Sequence, residues 1–350
     1  MRLEDIKLEP LLETLHIGKI TDEVYFTDPV YRNYISNSRL GLLNPKQDGS
    51  PEKFFSGFKS SFNPSFALGS AVHEQVLQPH LFKLAEDTGK PTAKMGGMAD
   101  ELYDLYCQGE ISDEDIIKAS DKIEYYKGKM TPDRIAEVRS KCAKYWETRA
   151  ALEFDLDETR EVRYLDYPML EKAKSCIESL QSNKQAMALL HPEGLVEDPI
   201  SECEQAILLD VKATMPNGKE LILHLKAKLD NYTIDTETNT IKVNDVKTHG
   251  QILTTFDESK VKYHYYREIA FYMFLLDLVA KHKYNMDSPK KQANYLVVST
   301  VPNFYSKVVP VSMRELRQGF YEFQKLLRYS AYLMCYEGYS FDEPVNKFQF

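Results

Sequence analysis

Asp245 and Lys247, one residue apart in a chain of 350, are the two side chains best spaced for joint chemistry. If their segment is a strand, successive side chains alternate between faces, so acid and base project together while Val246 points away. Asp230 closes the apolar run before them, and the polar stretch Asp235 to Asn239 would turn the chain so that the next segment lies beside it. The two carboxylates would then converge. Converging carboxylates repel unless a cation lies between them, and hard oxygen donors suit Mg²⁺ or Mn²⁺. A metal-bound water is a stronger nucleophile, and a neighbouring Lys can orient it, deprotonate it or stabilise pentacovalent phosphorus. That is the chemistry of phosphodiester hydrolysis. Alone, an Asp-x-Lys tripeptide on a strand is more often a solvated edge or a cross-strand ion pair, so the elements around it carry the weight.

Those elements begin with a short apolar strand at Ala206 to Leu209, then Pro216-Asn217-Gly218-Lys219, a hairpin turn whose Asn-Gly pair tolerates positive φ. The next strand alternates: Leu221, Leu223, Leu225, Ala227 and Leu229 point one way, and Ile222, His224, Lys226, Lys228 and Asp230 the other. Ile241, Val243, Asp245 and Lys247 share a face of a third strand. Ser259 to His282 reads as one long aromatic-rich helix, Tyr295 to Val298 as a buried strand, and Ser312 to about Glu337 as a final helix. Upstream, Ser36-Asn37-Ser38 caps a short helix and Asn63-Pro64-Ser65 breaks the chain. Gly69 to Gln78 is then helical, with Val72, Val76 and Leu77 on one side, Glu74 facing solvent and Pro79 ending it. Between these pieces, Thr88 to about Leu190 is charged and helical in pattern, with helices over Glu101 to Cys107, Asp113 to Lys127, Pro132 to Phe154 and Tyr167 to Leu190. The expected fold is α/β, a central mixed sheet flanked by helices and interrupted by a helical insertion. The boundaries are 1–87, 88–165 for the insertion, and 166–350.

A hydrophobic share of 43% is enough for a full core. No run approaches the ~18 apolar residues of a membrane span, and the charged start Met1-Arg2-Leu3-Glu4-Asp5 is no secretory signal, so a cytoplasmic protein is expected. Five scattered cysteines without a Cys-x-x-Cys pair argue against disulfides, a zinc ribbon and an iron–sulfur cluster. A net charge of −9 excludes a generally basic polyanion binder, so any nucleic-acid site must be a local basic surface. Lys226 and Lys228 would neutralise phosphate or pair with the acids. The run Lys260, Lys262, Tyr263, His264, Tyr265, Tyr266 and Arg267 mixes bases with aromatics as strand-binding surfaces do.

Four runs occur in order: Gly69-Ser70-Ala71-Val72-His73, Lys226-Ala227-Lys228-Leu229-Asp230, Asp245-Val246-Lys247-Thr248, and Tyr266-Arg267-Glu268-Ile269-Ala270-Phe271-Tyr272. Together they resemble the RecB-like branch of the PD-(D/E)XK nucleases, and more closely the RecE-type (exonuclease VIII-like) exonucleases of phages and prophages. The resemblance covers Ser36 to Phe82 and Tyr167 to Ser312. It implies Asp230, Asp245 and Lys247 as catalytic residues, and His73, Asp230, Asp245 and Val246 as ligands of one or two Mg²⁺ or Mn²⁺ ions. It also implies supporting or DNA-binding roles for Glu204, Lys226, Lys228, Thr248, Arg267, Glu268 and Tyr272. Glu204 would be a ligand or a structural partner of Lys226 or Lys228. Glu268 stands where the family usually carries Gln; a carboxylate cannot donate the amide's hydrogen bonds, and its alternative role is that of a further ligand.

The activity implied is 5′-to-3′ exonuclease action on double-stranded DNA ends in phage-type recombination, in a bacterial cytoplasm and away from membranes. A ring-forming homo-oligomer and a single-strand annealing protein are the implied partners. Two alternatives stay open: a nuclease of the same fold acting on single strands, flaps or internal sites, and a catalytically inactive binding module.

Overall fold

The computed structural model describes residues 2–57, 64–87, 89–109, 111–126, 128–154, 160–191 and 200–341. Asn63, Thr88, Glu110 and Lys127, which bound pieces read from the sequence, lie outside them. The chain opens with β1 (Lys7–Lys19), followed by α1 (Asp22–Thr27), α2 (Asn37–Gly41), α3 (Pro51–Ser56) and α4 (Pro64–Leu77). Next come β2 (Phe82–Glu86), α5 (Ala93–Glu101), α6 (Tyr103–Gln108), α7 (Asp113–Lys122), α8 (Pro132–Phe154), β3 (Glu161–Leu165), α9 (Tyr167–Ser182) and α10 (Lys184–Leu190). The remainder is β4 (Ile200–Thr214), β5 (Glu220–Asp235), β6 (Thr240–His249), α11 (Phe256–Lys262), α12 (Tyr265–Tyr284), β7 (Lys290–Ser299), β8 (Ser306–Pro310) and α13 (Met313–Tyr336). Two compact units result: 1–78 with 175–350, and 79–174.

In the first unit six strands form one mixed α/β sheet in the order β1-β4-β5-β6-β7-β8. Only β6 and β7 run parallel, and α11 and α12 make the crossover between them. Helices α12 and α13 bury Ile269, Phe271, Leu276, Phe323 and Leu327 in a core shared with Ile207, Leu225, Val243 and Tyr295 of the sheet. Gly319 of α13 lies so close to the Tyr266 carbonyl that a Cβ would meet it at 2.0 Å, which is why the helices approach each other at a glycine. Among the described residues, no helix is long and apolar enough to cross a membrane.

The feature that matters for chemistry is a parting of two strands. β5 pairs with β6 only from Asn231↔Asn244 to Asp235↔Thr240. Beyond that rung β5 stays on β4 and β6 stays on β7, while Ile35 bridges β5 through hydrogen bonds to His224 O (2.7 Å) and from Lys226 N (3.1 Å). A notch therefore opens where Asp230 and Asp245 stand. Asp230 does not end its strand, as its sequence suggested; it ends the pairing with β6. The burial pattern changes at the same place, because β5 becomes an interior strand and buries every residue from Leu229 to Ile234.

Several boundaries differ from the sequence reading. His264 adopts a left-handed conformation (φ +54°) and splits the Ser259–His282 helix into α11 and α12, with its side chain buried against Glu322 and the Tyr266 hydroxyl. Asn183 divides α9 from α10 by capping the latter, accepting from Ala186 N at 3.1 Å. In the hairpin turn Gly218 takes φ +81° while Asn217 stays out of the left-handed region. β1 and β8 are edge strands, and the sequence of β1 is interrupted by Pro10 and Gly18. Glu74 is buried and does not face solvent as its place in the helix pattern predicts.

The second unit is not purely helical. Its strands β2 and β3 pair in parallel, and its helices close on Met98, Leu102, Ile116, Val138, Cys142 and Trp146. The Trp146 indole donates to Ala99 O at 2.8 Å.

Candidate active site

His73, Glu204 and Asp230 meet at the notch. The imidazole lies between the two acids, with Nε2 2.7 Å from Asp230 Oδ2 and Nδ1 3.0 Å from Glu204 Oε1. Asp230 Oδ2 also accepts the Val246 N–H at 2.7 Å, taking the place of a β5 backbone acceptor where the strands have parted. Gly69, one helical turn before His73, lets α4 lie against β6: a Cβ there would meet Thr248 Oγ1 at 3.3 Å. Glu204 faces Asp230 across the β4–β5 pairing, between the rungs Cys203↔Asn231 and Gln205↔Leu229, and holds φ at +57°. Such backbone strain in a strand persists only where surrounding contacts impose it. The other Glu204 oxygen pairs with Lys228 at 3.1 Å, and Lys228 also pairs with Asp22.

Lys247 forms the second half of the site. Its ammonium is 2.9 Å from both Asp245 oxygens and 3.0 Å from Glu268, and it lies 5.1 Å from the centre of the Tyr265 ring. The Tyr272 hydroxyl donates to Glu268 at 3.2 Å, as expected of residues four apart on one helix face. Asp245 Oδ2 is buried and accepts no well-directed hydrogen bond.

The electrostatics are unbalanced toward negative charge. Burial, reinforced by Asp230 and Glu268, outweighs Lys247 and holds the Asp245 carboxyl well above its ordinary value. Burial opposes charge on Lys247 and His73, but the surrounding carboxylates hold both protonated, well above their usual pKa. Asp230 is kept below the ordinary range, burial notwithstanding, chiefly by His73 and then Lys247.

One donor from each of His73, Glu204 and Asp230 lies within 4.8 Å of the others. Donors on opposite sides of an octahedral Mg²⁺ or Mn²⁺ stand about 4.2 Å apart, so the set can close on one ion with little movement. The two carboxylates suit Mg²⁺ or Mn²⁺ by hardness, the imidazole favours Mn²⁺ of the two, and the under-satisfied Asp245 oxygen adds a nearby acceptor. The residues therefore fit a divalent cation.

No family model matches the chain, and no curated protein matches it. Solved structures that resemble it include a Eubacterium rectale protein described as "Putative exonuclease", 10% identical over 90% of this chain and 87% of that one, with a TM-score of 0.43. A likeness at that level says nothing about chemistry, which rests on the residues themselves.

Of the residues singled out in the sequence, the fold brings together His73, Asp230, Asp245, Val246, Lys247, Glu204, Lys228, Glu268 and Tyr272. Glu204 stands among the converging donors, whereas Asp245 is engaged by Lys247. Glu268 lies on the Lys247 side and is not one of that donor set. Arg267 is not a surface base. It is 1% exposed and donates to Asn37, Gln47 and Glu322, because a buried guanidinium must have its donors satisfied. His264 and Tyr266 are likewise buried, and Lys260 is paired with Asp257 and Glu315, so the run does not form a basic strip.

A basic region instead lines a cleft of about 500 Å³ that includes Lys226, Lys228 and Tyr272 together with Arg32 and Arg39. Arg39 donates to the carbonyls of Arg32, Phe54 and Phe55, and Lys226 to Tyr25 O. Among the described residues no carboxylate pairs with Arg32, Arg39 or Lys226. Burial, with Arg32 beside it, pushes Arg39 down to about 10; burial and Arg39 push Lys226 down to about 8. Sequence reasoning missed both arginines, since neither belongs to a charge run.

Proposed function

We propose that this protein is a divalent-metal-dependent deoxyribonuclease. The observation that carries the reading is the junction of a compact His73/Glu204/Asp230 donor set with a half-buried, acid-held Lys247 across one strand notch. His73, Glu204 and Asp230 would hold the ion, with Asp245 and the Val246 carbonyl beside them. A bound Mg²⁺ or Mn²⁺ supplies Lewis acidity toward the phosphate and lowers the pKa of a bound water. His73 must give up a ring proton to serve as ligand, since only neutral imidazole offers a lone pair. Lys247 supplies a fixed positive charge that orients the attacking water and meets charge developing on phosphorus-bound oxygens. Glu268 aims that ammonium, and the Tyr272 hydroxyl fixes Glu268. Arg32, Arg39 and Lys226 of the adjoining cleft, which no carboxylate pairs among the described residues, suit a strand's phosphates.

The finer reading is 5′-to-3′ exonuclease action on duplex ends, in phage-type recombination with a single-strand annealing partner and a ring-shaped homo-oligomer. It rests on the ordered resemblance to RecE-type enzymes. End-labelled linear duplex and covalently closed circles, incubated with Mg²⁺, Mn²⁺, Ca²⁺ or EDTA, test it. Loss of the linear form alone, from its 5′ ends, is expected with Mg²⁺ or Mn²⁺. Nicked circles would make it an endonuclease, undiminished cutting in EDTA would remove the metal, and no cutting would leave a binding module.

A further inference from the structure

Three asparagines run side by side across the sheet, and two of them, Asn231 and Asn244, adjoin acids of the site. Asn294 Nδ2 donates to Asn244 Oδ1 at 2.9 Å, and Asn244 Nδ2 donates to Asn231 Oδ1 at 2.7 Å. Asn231 Nδ2 reaches Ser201 Oγ (3.2 Å), Glu202 O (3.3 Å) and Cys203 Sγ (3.5 Å) on β4. Asn244 also donates to Leu189 O of α10 at 3.3 Å. The three are backbone partners as well, Asn231↔Asn244 and Asn244↔Asn294, so the amides share one face. Asn231 and Asn244 are fully buried.

The row spans β4, β5, β6 and β7 at one level. In each of the three acid-bearing strands the neighbouring residue is an acid of the site: Cys203 precedes Glu204, Asn231 follows Asp230, and Asn244 precedes Asp245. Asn231↔Asn244 is moreover the last rung before β5 and β6 part. We propose that this amide row is a positioning device: it sets where the strands separate, and so holds Glu204, Asp230 and Asp245 at the spacing that receives a divalent cation. Directional bonds suit the task, because a slip of one residue would turn every amide to the other face and leave it unsatisfied. Apolar side chains at these positions would pack in several registers.

The inference rests on the metal-site reading, and two readouts separate their failures. In Asn244→Leu, Mn²⁺ binding to the DNA-free protein, followed by electron paramagnetic resonance, should weaken at least ~10-fold while circular dichroism keeps the fold. In Asn231→Leu/Asn244→Leu, where both ends of the central bond are gone, Tm should recover relative to the single variant but Mn²⁺ affinity should not. Affinity that returns together with Tm would make the row merely structural and overturn the proposal. Wild-type protein that binds no Mn²⁺ would defeat the metal reading instead. The row is then judged by hydrogen exchange of the Val246 amide, which donates to Asp230. That amide should exchange at least ~10-fold faster in Asn244→Leu than in wild type, with Val243 unchanged; equal protection overturns the proposal. If Asn244→Leu does not fold, Asn294→Ala, at the half-buried end of the row, should show both effects in weaker form, and wild-type values there would overturn it too.

Discussion

Lys247 occupies a position where charge is unavoidable, between Asp245 and Glu268 and within reach of the Asp230 field. Lys247→Met keeps most of the volume and removes the ammonium. Its turnover on linear duplex should fall by ~10²-fold or more, with Mn²⁺ affinity changed far less, since the charge is needed most when the phosphorane forms. Initial rates beside metal titration separate the two, and an unaltered rate would reduce Lys247 to a structural pair. Lys226 titrates differently in the folded and unfolded chain. Its folded pKa of about 8, against 10.5 ordinarily, means that the folded protein sheds this proton first. Between those values the unfolded chain holds more protons, so this group makes stability rise with pH there. The same loss of charge should weaken duplex binding as pH passes 8, and Lys226→Met should lack that step in metal-free band-shift titrations. Identical pH profiles would take Lys226 out of the phosphate-binding surface.

Elements decide how close these residues come. The approach of α4 to β6 depends on Gly69, and the first atom a Cβ would press is Thr248 Oγ1 at 3.3 Å. Gly69→Ala should gain up to about 1 kcal/mol of helix propensity and lose part of it to that contact. In a Thr248→Ala background the contact is gone, so the same change should stabilise by about 0.5 kcal/mol more. Urea denaturation of the four proteins measures the difference; additive effects would mean that the helix does not press on Thr248. The alternating run from Leu221 and the Asp245-x-Lys247 spacing were legible as strands because a half-buried surface writes its period into the sequence. The helix break at His264 was not, since a left-handed histidine is held there by Glu322, fifty-eight residues away. β1 was also illegible, its pattern being weakened by exposure at the sheet edge.

For the whole molecule, a net charge of −9 makes binding to DNA depend on a few local cations. With Arg32, Arg39 and Lys226 as the cations that meet phosphates, the log–log dependence of duplex affinity on salt should have a slope of about −3, at ~0.9 per phosphate neutralised. A slope steeper than about −6, measured in Ca²⁺ to prevent turnover, would point to a larger basic surface such as an assembled ring gathers. The unit spanning 79–174 has a core of its own around Trp146.

The α/β class, the strand that carries Asp245 and Lys247, the helix that carries His73 and the order of these pieces are all written in the chain. Those follow from local periodicity and from turn and cap chemistry, which neighbouring residues decide. Packing between distant segments makes β5 and β6 part at Asn231↔Asn244, turns Glu204 in beside Asp230, and leaves Arg267 a buried strut while Arg39 lines a cleft. Convergence, burial and the lack of a counter-charge are properties that arise only between such segments. No stretch of sequence records how far its neighbours in space will stand from it.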